Sequence, residues 1–427
     1  MTEALQKFIR DHADDDLPEL LLNASRYREV DVKAATLQIK VRRKIKDKLP
    51  EWYQDDRLIF PSSLAAEQCS SEITAVYKQR LVHCNDVLCD LTGGLGVDAF
   101  YLSQKMRYVT LIEKNKACCE AVRANYKTLG VTNVRIINDD TFDYLKRTED
   151  QTNRVNVYYA DPSRRSTANK RWYAIRDCEP DLLEIIALLP TCYKLIAKLS
   201  PMLDIEQVLK QIPNVREVHI LSVKNECKEL LIVSQSDDAA HTRFCDTYDF
   251  ADATLLEGIA KPFDRKQFPE TGPVIYCINY ETNEIEQSFC FRLTDERATV
   301  APVAKKTGRF LYEPNASILK AGAYKSIAWR YGVEKLHTNS HLYTSGQPVM
   351  SFPGRLFEIT DVLPFNNRLC KTIHLTVPQA NIAVRNFPIT VDELRKRTRI
   401  REGGDVYLYA TTLPDNQKAL VICRKAP

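Results

Sequence analysis

Asp90 is followed by Leu91-Thr92-Gly93-Gly94-Leu95-Gly96, three glycines in four positions directly behind a carboxylate. The chain has only 13 glycines in 427 residues and none before Gly93, so the concentration here asks for a physical reason. A turn built on glycine is tight, and without Cβ atoms a ligand can lie against its peptide groups. Further carboxylates follow at intervals: Glu113 in "LIEKN", Asp140 in "INDDTF", and Asp161, followed by Pro162, in "YYADPSRRS". Carboxylates of this kind can accept hydrogen bonds from ribose hydroxyls or from an exocyclic amine. The restricted backbone at Pro162 could aim a carbonyl at the same amine.

Two cofactor classes use a strand, a glycine turn and a helix in this order. Gly94-Leu95-Gly96-Val97-Asp98-Ala99 fits the GxGxxA pattern of nicotinamide dinucleotide sites, with Glu113 on a ribose. S-adenosylmethionine (SAM) accounts for more of the pattern. It carries a cationic amino acid end in place of a pyrophosphate, so Asp90 ahead of the loop suits it. Glu113, 23 residues on, would bind both ribose hydroxyls, and Asp140 the adenine amino group. Thr92, Gly94, Gly96, Lys114 and Thr141 border the same loops and complete the candidate cofactor-binding set.

The elements that must position these residues follow from hydrophobic pattern. Residues 1 to about 80 mix apolar and polar residues at helical spacing, and Pro61-Ser62-Ser63 marks a turn before a final helix. From 86 to 235, "DVLCD", "YVTLIEK", "NVRIIN", "VNVYYAD" and "YKLIAKLS" read as strands alternating with helices such as "KACCEAVRANYKTLG" and "PDLLEIIALLP". That alternation predicts an α/β, doubly wound (Rossmann-like) parallel sheet covered by helices. "VREVHILSV" and "ELLIVSQ" are too close for a crossover and predict an antiparallel hairpin at the sheet edge. Beyond about 240 we expect a separate α+β region. It has two strands in "TGPVIYCINYETNEIEQSFCFRL", one helix from Asn315 to Gly332, strands in "KTIHLTV", "DVYLYATTL" and "KALVIC", and a helix in "TVDELRKRTRI".

In order and spacing, "DLTGGLGVD", "LIEKN", "INDDTF" and "YYADPSRRS" resemble class I SAM-dependent methyltransferases over about residues 70 to 235. The remainder is similar to a narrower bacterial family. It joins a helical segment like "LAAEQCSSEITAVYK" to the methyltransferase domain, then a ferredoxin-like unit ("YEPNASILKAGAYK", "KLHTNSHLYTS"), then a THUMP-like module ("RNFPITVDELRKRTRIREGGDVYLYATTL"). The resemblance implies four regions: helical 1–80, methyltransferase 81–237, ferredoxin-like α+β 238–350 and THUMP-like 351–427. It also implies RNA as substrate, since THUMP-type modules usually present RNA.

The acceptor step would fall on Asp161, Pro162 and Arg164. Amino-methylating relatives carry D/N-P-P-aromatic, whose ring stacks on a flipped base. Here Ser163 and Arg164 stand in the last two places, so Trp172 or Tyr173 would have to supply a ring, and Arg164 and Arg165 suit a phosphate or a stacked base. "DPSR" is also similar to the DPPR step of uridine C5-methyltransferases. Those need a cysteine after the fifth strand, where this chain reads "AKLSPMLD" with Ser200, so nitrogen is the expected acceptor. Gln68, Ser71 and Thr74 could close over the methionine end of SAM.

Composition adds exclusions. Hydrophobic content of 44% and charged content of 27% are those of a globular protein, and no apolar run reaches the ~20 residues of a membrane span. The acidic N-terminus lacks a signal-peptide layout, and 13 cysteines without a CxxC pair fit reduced thiols, so a cytoplasmic protein is expected. No structural metal is expected, and His337 and His341 read as surface or capping residues. Net charge +4 forces no nucleic-acid partner, although Lys40–Lys48 and Arg395–Arg401 are basic runs. Three alternatives stay open: an NAD(P)-dependent oxidoreductase, a non-catalytic RNA-binding protein on a methyltransferase fold, and a protein or small-molecule methyltransferase. Oligomeric state is not legible.

Overall fold

The computed structural model of the chain describes residues 1–147, 155–164, 175–189, 194–236, 272–283 and 285–426. It divides into two units, Met1–Val215 with Leu231–Arg243, and Arg216–Leu230 with Phe244–Pro427.

The first unit begins with helices α1 (Glu3–Asp11), α2 (Leu17–Leu22), α3 (Val32–Ile45), α4 (Pro50–Gln54), α5 (Ser63–Gln68) and α6 (Glu72–Lys78). Side-chain oxygens of Thr2, Asp16, Asp31 and Ser62 accept from backbone N–H groups in the first turns of α1, α2, α3 and α5, which fixes where those helices start. The expected final helix is two, broken at Cys69-Ser70-Ser71. Of the basic residues in Lys40–Lys48 only Arg42 is turned inward; Lys40, Arg43, Lys44 and Lys46 are exposed. Arg42 is 8% exposed and donates to the carbonyls of Tyr53, Asp55 and Leu58. Arg43 donates to Ala13 and Asp15, and Lys48 to Ala66 and Glu67. Arg42, Arg43 and Lys48 thus satisfy carbonyls left over near helix ends, while Lys40, Lys44 and Lys46 keep a solvated face.

Next come β1 (Val87–Asp90), α7 (Val97–Ser103), β2 (Tyr108–Glu113), α8 (Lys116–Thr128), β3 (Val134–Asn138), α9 (Thr141–Lys146) and β4 (Val157–Ala160). A small ribbon pairs β5 (Ser163–Arg164) with β6 (Cys178–Glu179) before α10 (Leu182–Leu188), β7 (Lys194–Leu199) and α11 (Ile205–Gln211). The hairpin β8 (Val215–Val223) and β9 (Glu226–Gln235) turns on Lys224 and Asn225, both at positive φ, the tight turn that matches strand twist. Within the first unit the strand order is β9-β7-β4-β1-β2-β3, and β7-β4-β1-β2-β3 are parallel. This is the expected doubly wound sheet, and every candidate acid but Asp140 ends one of its strands or follows one directly.

The hairpin forms as expected. In the second unit β8 pairs in parallel with β10 (Val274–Tyr280), which pairs antiparallel with β11 (Glu286–Arg292). Those two strands, expected in the separate α+β region, thus take β8 as their neighbour. The second unit also holds a seven-stranded sheet built on a long strand, Gly354–Pro364, with Phe310–Pro314 and Lys418–Lys425 on either side. The single helix expected from Asn315 to Gly332 is two, Ala316–Ala321 and Ser326–Tyr331, because Gly322 takes φ +76° and ends the first. "KTIHLTV" is no strand; it finishes the helix Asn367–Thr372 and a short 3-10 turn after it. Among the described residues no helix is long and apolar enough to cross a membrane, and no His/Cys/Asp/Glu group could hold a metal. His337 accepts from the N–H of Asn339, and His341 stacks on Tyr324 with its ring pushed down to about 4 by burial and by nearby Lys335 and Arg385.

Candidate cofactor and acceptor site

The parallel strands reverse direction of winding between β1 and β4, and ligands of such sheets bind at the carboxyl ends beside that point. There the three glycines have different reasons. A Cβ on Gly93 would meet Leu111 Cδ2 at 2.2 Å, so this glycine lets the turn press onto β2. A Cβ on Gly96, at φ +75°, would meet the Tyr126 hydroxyl at 2.7 Å, and that hydroxyl donates to the Gly96 carbonyl. A Cβ on Gly94, at φ +53°, would meet only Thr92 O, at 3.9 Å. One glycine packs on the sheet, one on α8, and the third faces open space on its Cβ side.

Asp90 is 1% exposed; Oδ1 accepts from Thr92 N at 2.9 Å. Burial pushes its carboxyl up to about 8, against the Thr92 hydrogen bond and with help from Asp98, Asp161 and Glu113. Glu113, at the end of β2, accepts from Gly94 N at 2.8 Å through Oε2 and from Asn115 N at 2.6 Å through Oε1. Each of its oxygens keeps a second lone pair. Asp140 caps α9, with Oδ1 accepting from Phe142 and Asp143. Thr141 donates to the Leu91 carbonyl at 2.7 Å and ties α9 to the glycine turn. Lys114 is surface-exposed and pairs with Glu179 at 2.9 Å.

Asp161 follows β4. Its N–H donates to Thr92 Oγ1 at 2.6 Å, and its Oδ2 accepts from Lys198 Nζ at 2.5 Å. Thr92 therefore touches both Asp90 and Asp161. Pro162 is buried, and Ser163 and Arg164 run into the β5–β6 ribbon. Arg165, Trp172 and Tyr173 lie outside the described residues. Ser71 and Thr74 bond to each other, leaving neighbouring Ser70 as the residue of that segment that enters the site.

Sequence reading missed the charges behind Asp161. Ser70 Oγ accepts from Lys198 at 3.1 Å and from Lys78 at 2.9 Å, and donates to Asp98 Oδ2 at 2.7 Å. Lys78 also donates to Asp98 Oδ1 at 2.8 Å, and Tyr159 to Asp98 Oδ2 at 2.7 Å. The Ser70 hydroxyl thus uses its one proton and both lone pairs. Burial would raise the Asp98 carboxyl, but Lys78 and Lys198 prevail and hold it at about 2. For Asp161 burial prevails and pushes the carboxyl up, against Lys198. A signal existed: "KLIAKL" puts a second lysine, Lys198, near the carboxyl end of a mostly buried strand, and "GVDAF" puts an acid in a wholly buried helix.

The class these features define is a class I methyltransferase. Family models match residues 79–175 (Conserved hypothetical protein 95), 310–353 (ferredoxin-like domain) and 354–425 (THUMP domain-like). No curated protein matches the chain. A solved structure described as a "putative methyltransferase" from Porphyromonas gingivalis W83 is similar at 33% identity, over 99% of this chain and 98% of that one, with a TM-score of 0.82. An rRNA methylase from Streptococcus thermophilus matches at 14% identity over 39% of this chain and 95% of its own, with a TM-score of 0.28, too low to carry an argument. The chain belongs to the bacterial methyltransferase family that carries a ferredoxin-like unit and a C-terminal THUMP-like domain.

Proposed function

We propose that the protein transfers a methyl group from SAM directly to a base nitrogen of a structured RNA, a tRNA or rRNA. The observation that carries this reading is Asp161, anchored through its N–H to Thr92 and through Oδ2 to Lys198. Among the described residues nothing donates to its Oδ1, and its side chain is 28% exposed. An acceptor N–H at Oδ1 would sit beside the glycine turn.

The residues present fit SAM. The buried Asp90 carboxyl ahead of the glycine turn, with no cation hydrogen-bonded to it among the described residues, suits an ammonium and would lie against a pyrophosphate unfavourably. In this reading Asp90, Thr92, Gly94 and Gly96 hold the amino acid end, Glu113 the ribose, and Asp140, through Oδ2, the adenine; Lys114 and Thr141 border the pocket. When bound, SAM supplies a methyl carbon made electrophilic by its sulfonium. Asp161 and the Pro162 carbonyl accept hydrogen bonds from the acceptor amine, hold it in line and leave its lone pair toward that carbon. The amine proton is lost late. No cysteine stands in Ser200–Asp204 to add to a ring carbon, which favours nitrogen. The THUMP domain-like match over 354–425 supports RNA as the substrate class.

The test is methyl transfer from tritiated SAM to total RNA of a strain lacking the protein, digested to nucleosides, with Asp161→Ala as control. A labelled nucleoside absent with the variant is expected and names the base. Tight S-adenosylhomocysteine binding without label would overturn the RNA reading in favour of a protein or small-molecule acceptor, or of a non-catalytic RNA-binding role. NADH binding in place of S-adenosylhomocysteine would favour an oxidoreductase.

A further inference from the structure

We infer that Lys198 is a positioning residue for the acceptor: it occupies Asp161 Oδ2 and thereby presents Oδ1 of the ionised carboxylate to the incoming N–H. This rests on the reading of Asp161 as the acceptor-binding acid.

The geometry leaves Asp161 little freedom. Its main chain is pinned to Thr92, one carboxylate oxygen is held at 2.5 Å, and the residue after it is proline. A carboxylate with one oxygen locked by a lysine can turn neither that oxygen nor its plane without breaking a charge-assisted bond. Lys198 is itself held. Its side chain is 11% exposed, it lies on a central strand, and Ser70 accepts its second hydrogen bond. Ser70 is in turn fixed by Lys78 and Asp98, and Asp98 by Tyr159. Among the described residues the chain Asp161–Lys198–Ser70–Asp98–Lys78 joins two acids to two lysines. A hydrogen-bonded network of paired charges can stay buried and rigid.

The break between α5 and α6 has a purpose in this arrangement, since a continuous helix would not deliver the Ser70 hydroxyl between two lysines. In the transfer, the nitrogen–carbon bond forms as the carbon–sulfur bond breaks, and the amine proton leaves to water. Lys198 takes part in neither bond. Its contribution is the orientation and ionisation of Asp161, which faces Lys198, Lys78, Asp98 and Asp90.

The test uses the full chain with Lys198→Met and Lys198→Arg, and three readouts. First, the Asp161 carboxyl is titrated by carbon-13 NMR with S-adenosylhomocysteine bound. We expect it to titrate about one unit or more higher in the Met variant, and as in wild type in the Arg variant. Second, S-adenosylhomocysteine affinity by calorimetry is expected to be unchanged in both. Third, on an RNA that the wild type methylates, kcat is expected to fall ~100-fold in the Met variant, with the acid limb of its pH profile moved up and with recovery in the Arg variant. An Asp161 titration that ignores Lys198 overturns the inference, as does a loss of activity that shifts no pH limb and is not rescued by arginine. Early melting of the Met variant with loss of S-adenosylhomocysteine binding, unrescued by arginine, also overturns it in favour of a purely structural pair. If the wild type methylates no RNA, the proposed substrate fails, while the NMR titration still decides the role of Lys198.

Discussion

Asp90 and Asp98 stand on either side of the same glycine turn, both almost fully buried, and have opposite surroundings. Asp98, in the first turn of α7, has Lys78, Ser70 and Tyr159 on its two oxygens and stays ionised far down the pH scale. Asp90, ending β1, accepts from Thr92 and has, among the described residues, no lysine or arginine hydrogen-bonded to it, and its carboxyl is pushed up to about 8. A buried acid with its counter-charge built in belongs to the scaffold. One held without a counter-charge suits a ligand that brings its own. The difference separates structure from function where burial alone does not.

Asp98→Asn should do the most damage, since it leaves the fully buried Lys78 short of its carboxylate. We expect a loss of about 3–5 kcal/mol in denaturant unfolding. An unchanged midpoint would show that the network is not what holds α6 to α7. Gly96→Ala comes next. Left-handed backbone and the 2.7 Å approach to the Tyr126 hydroxyl should together cost about 2–3 kcal/mol. Gly94→Ala, strained but in open space, should lose about 1 kcal/mol by the same measure, so equal losses would blur the distinction between the two glycines.

Asp90→Asn should barely alter stability but weaken S-adenosylhomocysteine by about 2 kcal/mol, read by calorimetry. If stability falls and affinity does not, the comparison is inverted.

The two acids also predict opposite pH responses. In the free protein Asp90 is protonated below about 8, and a cationic ligand needs it ionised. SAM affinity should therefore fall as pH drops from 8, by up to ~tenfold per unit, and Asp90→Asn should flatten the slope. Stability from Asp90 runs the other way. A raised folded value favours folding while the proton is on, and this is lost as pH climbs toward 8. Asp98, lowered to about 2, contributes stability above the usual carboxylate range that is lost as pH falls from about 4 to 2. The smallest effect belongs to Lys114→Ala. The exposed pair with Glu179 should be worth less than about 0.5 kcal/mol, and a fall in cofactor affinity would show that Lys114 reaches the ligand.

Much of the doubly wound sheet was legible because its strands are short, apolar and separated by helices, a local pattern. The glycine turn and the acids at the strand ends were legible for the same reason. What failed was local pattern overruled by one backbone angle or by a neighbour. Gly322 at φ +76° cut one expected helix into two. The strand Val274–Tyr280 paired with β8, far from it in the chain. Lys40–Lys48 looked like a surface run, and only the carbonyls of Tyr53 and Asp55 explain why Arg42 within it turns inward.

By itself the sequence determined the sheet's strand and helix pattern, the turn behind Asp90, and the order in which Glu113, Asp140 and Asp161 arrive at strand ends or helix starts. Tertiary structure alone decided which acids have partners. Lys198 meets Asp161 across 37 residues and Ser70 across 128, separations that no periodicity records. Coulombic attraction and hydrogen bonding act through space, and burial sets their strength, so whether an acid is scaffold or site becomes visible only once the chain has folded.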